Sequence, residues 1–199
     1  MLTRTTDLPG VLLLEPKVFE DARGFFLETY RADRLREAGI SDNFVQANQS
    51  HSVRGTLRGL HYQLVHPQAK LCRVAHGEVV DVAVDIRRGS PTFGKAFQVI
   101  LSAENRLQIY VPAGFAHGFQ VLSDSADFLY QCSDFYHPED EHGILWSDPA
   151  LRLDWPLREP LLSARDSAYP CLAAVAPEHL PVYRPARSAA MPDGPGSRA

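Results

Sequence analysis

The stretch VVDVAVDIR, residues 79–87, is the most strongly patterned part of the chain. Successive side chains of an extended strand point to opposite faces. Val80, Val82, Val84 and Ile86 therefore share one face, and Asp81, Ala83, Asp85 and Arg87 share the other. The acidic face is either a solvated surface or the lining of a polar cavity inside a barrel. The segment by itself favours the solvated surface.

Outward from this strand the same grammar repeats. Short runs rich in Val, Ile, Phe and Tyr cover residues 11–15, 24–30, 44–50, 56–63, 70–76, 78–86, 95–101, 106–112, 117–122 and 125–132. Turn signals separate them: His66-Pro67, His76-Gly77, Gly89-Ser90-Pro91, Glu104-Asn105, Pro112-Ala113-Gly114 and Ser123-Asp124. Many short strands at this spacing predict an antiparallel sandwich or barrel. An open sheet with helices would need several helical patterns. Only RADRLREAG, residues 31–39, reads as one, with Gly39 as its stop.

The 199 residues fit one domain with a tail. We expect that domain over 1–183. RPARSAAMPDGPGSRA, 184–199, has no periodicity and reads as a disordered tail. Hydrophobic residues are 45% and charged residues 22%, which excludes a wholly disordered chain. Twenty Lys and Arg against 24 Asp and Glu give a net charge of −4, which argues against nucleic acid or an anionic membrane as partner. A local basic cleft stays open. No apolar run nears the roughly 20 residues of a membrane helix. The opening MLTRTTDLPGVLLLEP is too short in its apolar part, and too acidic at its end, for a signal peptide, so a soluble cytoplasmic protein is expected. Cys72, Cys132 and Cys171 are odd in number and widely spaced, which fits neither a zinc ribbon nor a disulfide scaffold.

Three clusters carry groups able to do chemistry. LRGLHYQLVHPQAKLCRV, residues 57–74, places Arg58, His61 and Lys70 on consecutive strands, read as a hairpin. An ammonium near a histidine base can stabilise the anion that the base generates. Strict alternation puts Arg58 and His61 on opposite faces, so either a bulge at Gly59 re-aims one of them or Arg58 acts at a rim. IYVPAGFAHGFQVL, residues 109–122, turns at Pro112 and Gly114 and delivers His117 onto the next strand. DFLYQCSDFYHPEDEHGILW, residues 127–146, carries Tyr130, Tyr136 and Glu141, and Tyr130 is an acid of the kind that protonates a carbanion. Each histidine or tyrosine also has a bland reading, as a hydrogen-bonded core residue.

The P-x-G-x-x-H turn at 112–117 resembles the second metal motif of cupins, small double-stranded β-helix barrels, and Gly55 ahead of His61 resembles the start of their first. Metal-binding cupins continue with His-x-His and an acid. Here the run is His61-Tyr62-Gln63, and the next charged residue is Lys70. Transition metals want imidazole and carboxylate ligands, so the pattern predicts a metal-free cupin whose cavity does proton chemistry.

A closer resemblance is to the dTDP-4-dehydrorhamnose 3,5-epimerases. It rests on DARGFFLETY (21–30), FVQANQSHSVRGTLRGLHYQ (44–63), QAKLCRVAHGEVVDVAVDIRRGSPTFG (68–94), VPAGFAHGF (111–119), LYQCSDFYHPEDEHGILWSDP (129–149) and LSARD (162–166). It implies an all-β cupin jelly roll with a few short peripheral helices, and a homodimer whose N-terminal strands extend the partner's sheet. It implies cofactor-independent inversion of C3 and C5 of dTDP-4-dehydro-6-deoxy-D-glucose through enolates. His61 would be the base, Asp166 its partner, Lys70 the stabiliser of the enolate oxygen and Tyr130 the acid on the far face. His117, paired with Asp81, would sit beside the sugar or the diphosphate, which turns Asp81 toward the cavity. Arg23, Phe25, Glu28, Gln46, Asn48, Arg58, Tyr136, Glu141 and Arg165 match substrate contacts, with Phe25 stacking on the base. Arg165 stands where many members carry Lys.

Three other functions are to be distinguished. Relatives with the same residue types invert only C3 or only C5. A metal-dependent cupin would use His61, His117 and Glu78 as ligands. A non-catalytic sugar-nucleotide-binding barrel would explain the arginines and aromatics but give no reason for Lys70 beside His61.

Overall fold

The computed structural model describes residues 1–185. The expected tail, apart from Arg184 and Pro185, lies outside the described residues. Among the described residues thirteen strands form: β1 (Leu2–Thr5), β2 (Leu12–Glu15), β3 (Val18–Asp21), β4 (Gly24–Leu27), β5 (Gln46–Val53), β6 (Leu57–Gln63), β7 (Lys70–His76), β8 (Glu78–Asp85), β9 (Ala96–Ser102), β10 (Gln108–Val111), β11 (Phe115–Val121), β12 (Ser125–Cys132) and β13 (Glu141–Gly143). One α-helix, α1, spans Ala32–Glu37, and short 3-10 turns follow at Pro138–Asp140, Pro149–Leu151, Leu172–Ala174 and Pro177–His179.

Helix α1 ends as its sequence predicts. Gly39 takes φ +87°, its N–H bonds the Arg36 carbonyl, and Ile40 N–H reaches back to Leu35. Leu35 and Ile40 are both buried, which completes a Schellman stop with its hydrophobic contact.

A six-stranded sheet runs β1-β2-β10-β7-β12-β5, a five-stranded sheet runs β13-β6-β11-β8-β9, and β3 pairs with β4 as a separate hairpin. Every pairing between these strands is antiparallel. From β5 to β8, and again from β9 to β13, consecutive strands alternate between the two sheets. This is the expected jelly roll. It corrects one local reading: β6 and β7 are not a hairpin but lie in opposite sheets. The six-residue link between them, with Pro67 in it, crosses from one sheet to the other.

Both faces of β8 are covered, which overturns the solvated reading of its acidic face. Val79 and Ala83 join Cys72, Val74, Ile109, Phe115, Phe119 and Phe128 between the sheets. Val80, Val82, Val84 and Ile86 point the other way, under Ile144, Leu151, Trp155, Leu172 and Leu180. The chain after Trp155, loose in pattern, is thus the outer cover of the five-stranded sheet. It is pinned by Leu57 N–H to Leu161 O, Arg88 N–H to Pro181 O and Tyr62 Oη to His179 O. Burying the apolar face of β8 contributes about 1.5–3 kcal/mol for each Val or Ile.

Candidate active site

Between the sheets, beside the stacked rings of Phe119 and Phe128 (4.0 Å between centroids), lies a cavity of about 690 Å³. That is within the roughly 300–1,000 Å³ usual for small-molecule sites. The five-stranded sheet contributes Arg58, His61, His117 and Glu141, and the six-stranded sheet contributes Gln46, Asn48, Lys70 and Tyr130. Tyr136 comes from the loop after β12, and Arg165 and Asp166 from the cover segment.

Arg58 and His61 both reach the cavity because β6 is irregular between them. His117 pairs with His61 and Phe119 with Arg58, so three steps on β6 match two on β11. The bulge falls at Gly59, whose φ is +123°. A Cβ there would stand 2.7 Å from Gly118 Cα and 2.8 Å from the His117 carbonyl, so only glycine fits.

His61 Nε2 lies 2.5 Å from Asp166 Oδ1. Asp166 is buried, and burial pushes its carboxyl up; the bonds from His61, Ser163 Oγ and the Gly59 backbone outweigh that and hold it below the usual range. With Nε2–H donated to the carboxylate, the neutral ring presents the Nδ1 lone pair, the arrangement of a general base.

Lys70 enters from the opposite sheet and forms no ion pair among the described residues. Tyr130, two residues before Cys132 on β12, is pushed up to about 12, chiefly by burial. It is therefore a protonated phenol at neutral pH. Arg58 Nε donates to Ser52 Oγ at 3.2 Å, and the buried Ser50 Oγ on the cavity wall has no partner among the described residues.

His117 Nε2 sits 2.9 and 3.0 Å from the two oxygens of fully buried Asp81. Cys72 Sγ is 3.8 Å from the same nitrogen, so Cys72, Asp81 and His117 hold donor atoms within 4.8 Å of one another. These are the residues of metal-ligating type that the fold gathers, and the hydrogen bonds to one shared nitrogen account for their closeness. Glu78, the third ligand of the metal-dependent alternative, is exposed at the start of β8 and does not line the cavity.

At the rim the expected residues Tyr136, Glu141 and Arg165 meet one another, and sequence reasoning missed Tyr169 behind them and Asp140 beside them. Glu141 accepts from Tyr136 Oη at 2.6 Å, from Arg165, and from Tyr169 Oη at 3.4 Å. Gln63, where a metal cupin carries its second histidine, instead ties two loops: its Nε2 donates to His66 O, and its Oε1 accepts from His137 N–H. Buried Asp140 accepts the backbone N–H groups of Leu64, Val65 and His66. Its position after Pro138 in a turn was the one available signal.

Three expected contacts are elsewhere. Arg23 and Phe25 are on the exposed β3–β4 hairpin, and Glu28 pairs with Arg34 at 3.2 Å. None lines the cavity of its own chain. Cys72 and Cys132 are buried thiols, and Cys171 is half-buried and unbridged. No helix among the described residues is long and apolar enough to cross a membrane.

Residues 5–174 match the family model described as dTDP-4-dehydrorhamnose 3,5-epimerase. A relative of that name from Pseudomonas aeruginosa is 57% identical over 161 residues, covering 80% of this chain and 89% of the relative. One from Neisseria gonorrhoeae is 55% identical over 164 residues, 82% of this chain but only 50% of its own length. The crystal structure of dTDP-6-deoxy-D-glucose-3,5-epimerase from Legionella pneumophila Philadelphia 1, in complex with dTDP-4-keto-L-rhamnose, superposes with a TM-score of 0.90 at 51% identity, over 92% of this chain and 98% of that one. The chain belongs to the dTDP-4-dehydrorhamnose 3,5-epimerase family.

Proposed function

We propose that this protein epimerises C3 and C5 of dTDP-4-dehydro-6-deoxy-D-glucose, giving dTDP-4-dehydro-L-rhamnose, with no cofactor. The observation that carries the reading is the convergence of His61, Lys70 and Tyr130 on one cavity from two opposing sheets, with Asp166 behind His61. Each hydrogen to be moved sits next to the C4 ketone, so its loss gives an enolate. His61 Nδ1 takes that proton, and Asp166 steadies the imidazolium. The Lys70 ammonium faces the enolate oxygen. Tyr130 then delivers a proton from the other face, and the centre inverts. Each inversion leaves a proton on His61 and removes one from Tyr130. Both reset through solvent, so each inverted carbon acquires a solvent hydrogen.

Arg58 and Arg165 serve the diphosphate, since a guanidinium offers it paired charge-assisted bonds. Gln46, Asn48, Tyr136, Glu141 and His117 line the same space and serve the sugar and nucleotide. This local basic cleft lets a chain of net charge −4 hold an anionic ligand.

The chain works as a homodimer in the cytoplasm, through a domain spanning 1–183. Phe19 and Phe26, cross-strand partners on one face of the β3–β4 hairpin, stand 53% and 69% exposed, and Phe25 on the other face stands 58% exposed, apolar surface that calls for cover. The eight-residue strand β5 is an open sheet edge. Strand exchange at that edge would carry the partner hairpin, with its Arg23, Phe25 and Glu28 counterparts, toward the cavity. Sedimentation equilibrium of wild type and Phe26→Glu tests this: a dimer that becomes monomeric is expected, and a monomeric wild type refutes it.

The reaction is tested by incubating the 4-keto sugar nucleotide in deuterium oxide and following C3 and C5 by NMR. Deuterium at both carbons is expected. Deuterium at one carbon assigns a mono-epimerase, and deuterium at neither refutes the reading.

A further inference from the structure

We propose that Tyr169 is a positioning residue for His61, packed against the ring of the base. The inference rests on the reading of His61 as the base. Strand β13 is the edge of the five-stranded sheet, and its Gly143 is the cross-strand partner of His61. A cross-strand partner on the same face normally supports its neighbour's side chain. Gly143 has none to offer.

The gap is filled from elsewhere. A Cβ built on Gly143 would lie 2.4–2.6 Å from three carbons of the Tyr169 ring, so the ring occupies the place of the missing side chain. An aromatic ring laid over an edge-strand glycine is a recognised way to restore sheet packing. Here the ring also meets His61 edge-to-face, with centroids 5.7 Å apart and planes at 68°. Asp166 fixes one ring nitrogen of His61 at 2.5 Å, but a single hydrogen bond leaves the imidazole free to tilt about that axis. The Tyr169 ring removes the tilt. Tyr169 does not line the cavity, so its effect on the reaction runs through His61.

The neighbourhood is built to keep Tyr169 in place. Leu145 N–H bonds the carbonyl of Pro170, the next residue, at 2.8 Å, and Tyr169 Oη reaches Glu141 Oε1 at 3.4 Å. The second contact is long for a hydrogen bond. The ring rather than the hydroxyl is therefore the working part.

Tyr169→Leu and Tyr169→Phe test the idea, each assayed as full-length enzyme with the folded fraction measured by circular dichroism. An edge-to-face aromatic pair is worth about a two- to tenfold effect when lost. Tyr169→Leu is expected to lower kcat by about that factor with KM unchanged, and to slow deuterium entry at C3 and C5 equally. Tyr169→Phe is expected to restore both rates. The His61 ring resonances in a 15N-edited spectrum should broaden in Tyr169→Leu and stay sharp in Tyr169→Phe. Unchanged kcat and unbroadened His61 signals in Tyr169→Leu overturn the inference, as does Tyr169→Phe behaving like Tyr169→Leu. A wild-type enzyme inactive on the 4-keto sugar would instead overturn the functional reading, and the His61 spectra would still judge Tyr169 alone.

Discussion

Replacing Asp166 by Asn exchanges one carboxylate oxygen for an amide nitrogen and removes a negative charge from a side chain 4% exposed and 2.5 Å from His61 Nε2. The Asn carbonyl can still accept from Nε2, so the ring keeps its tautomer. What disappears is the stabilisation of the imidazolium that forms when His61 takes the proton. A lower bound is the net worth of a charge-assisted hydrogen bond, about 1.5–3 kcal/mol. An upper bound comes from charge centres roughly 4 Å apart at an effective dielectric of about 20, which gives about 4 kcal/mol. At about 1.4 kcal/mol per tenfold, the variant should lose about 10- to 1,000-fold in kcat. KM should stay close to wild type, because the substrate contacts survive. The assay is the initial rate of deuterium entry at each carbon, read by NMR under saturating substrate. One base serving two carbons requires both rates to fall by the same factor. Wild-type exchange in Asp166→Asn, or a loss confined to one carbon, would refute the assignment of the His61–Asp166 pair as the common base.

Tyr130→Phe should retain deuterium exchange on the His61 face while product formation falls about 100- to 10,000-fold, the range for loss of a general acid; inversion at the wild-type rate would remove Tyr130 from that role. Because burial holds the Tyr130 phenol at about 12, no alkaline loss of activity below about pH 11 should disappear in Tyr130→Phe when the residual rates of the two proteins are profiled against pH. Gly59→Ala forces a Cβ against the Gly118 and His117 backbone at φ +123°, and should cost about 2–5 kcal/mol of stability in urea melts; an unchanged midpoint would show that β6 is not locked by that contact. Asp85, Asp140, Glu141 and Asp166 all sit below their ordinary values of 3.8 for Asp and 4.5 for Glu. The unfolded chain therefore takes up protons first as pH falls, so their stabilisation is complete above about pH 5 and drains away below about 4.5. Thermal melts from pH 7 to pH 3 should be flat and then fall through that window, and an increase in Tm on acidification would contradict it.

The strand grammar carried most of the fold. β7 and β12 lie where the alternation puts them, because each has one apolar face toward the core and firm turn residues at its ends. β1, β3 and β13 escaped notice for physical reasons. Leu2–Thr5 is exposed along its length and Val18–Asp21 nearly so, so neither has a buried face to leave a pattern. Glu141–Gly143 is a three-residue edge whose glycine is completed by Tyr169, a residue from a loop. The crossing of β6 and β7 between sheets was also hidden. A short Pro-containing link looks the same whether it turns back on its own sheet or steps to the facing one, and only the burial of both partners' far faces decides.

Asp81 and Asp85 make the same point about the site. They lie on one strand, four residues apart, on the same face, and both are fully buried. Asp85 is satisfied by Arg87, Ser90 and Thr92, all within seven residues downstream, so its role as the anchor of the turn after β8 could in principle be read from the local sequence. Asp81 is satisfied by His117, 36 residues away on the neighbouring strand β11. Nothing local distinguishes it from a solvated surface acid, and alternation alone pointed the wrong way. The other acids at the cavity are of this second kind. Asp166 meets His61 across 105 residues, and Glu141 meets Arg165 across 24. Each long-range pair is formed by elements that hold no contact in the extended chain. A buried carboxylate must find a donor, but spacing cannot say which, so the His61–Asp166 pairing could be drawn from the family resemblance and not from the residues between them.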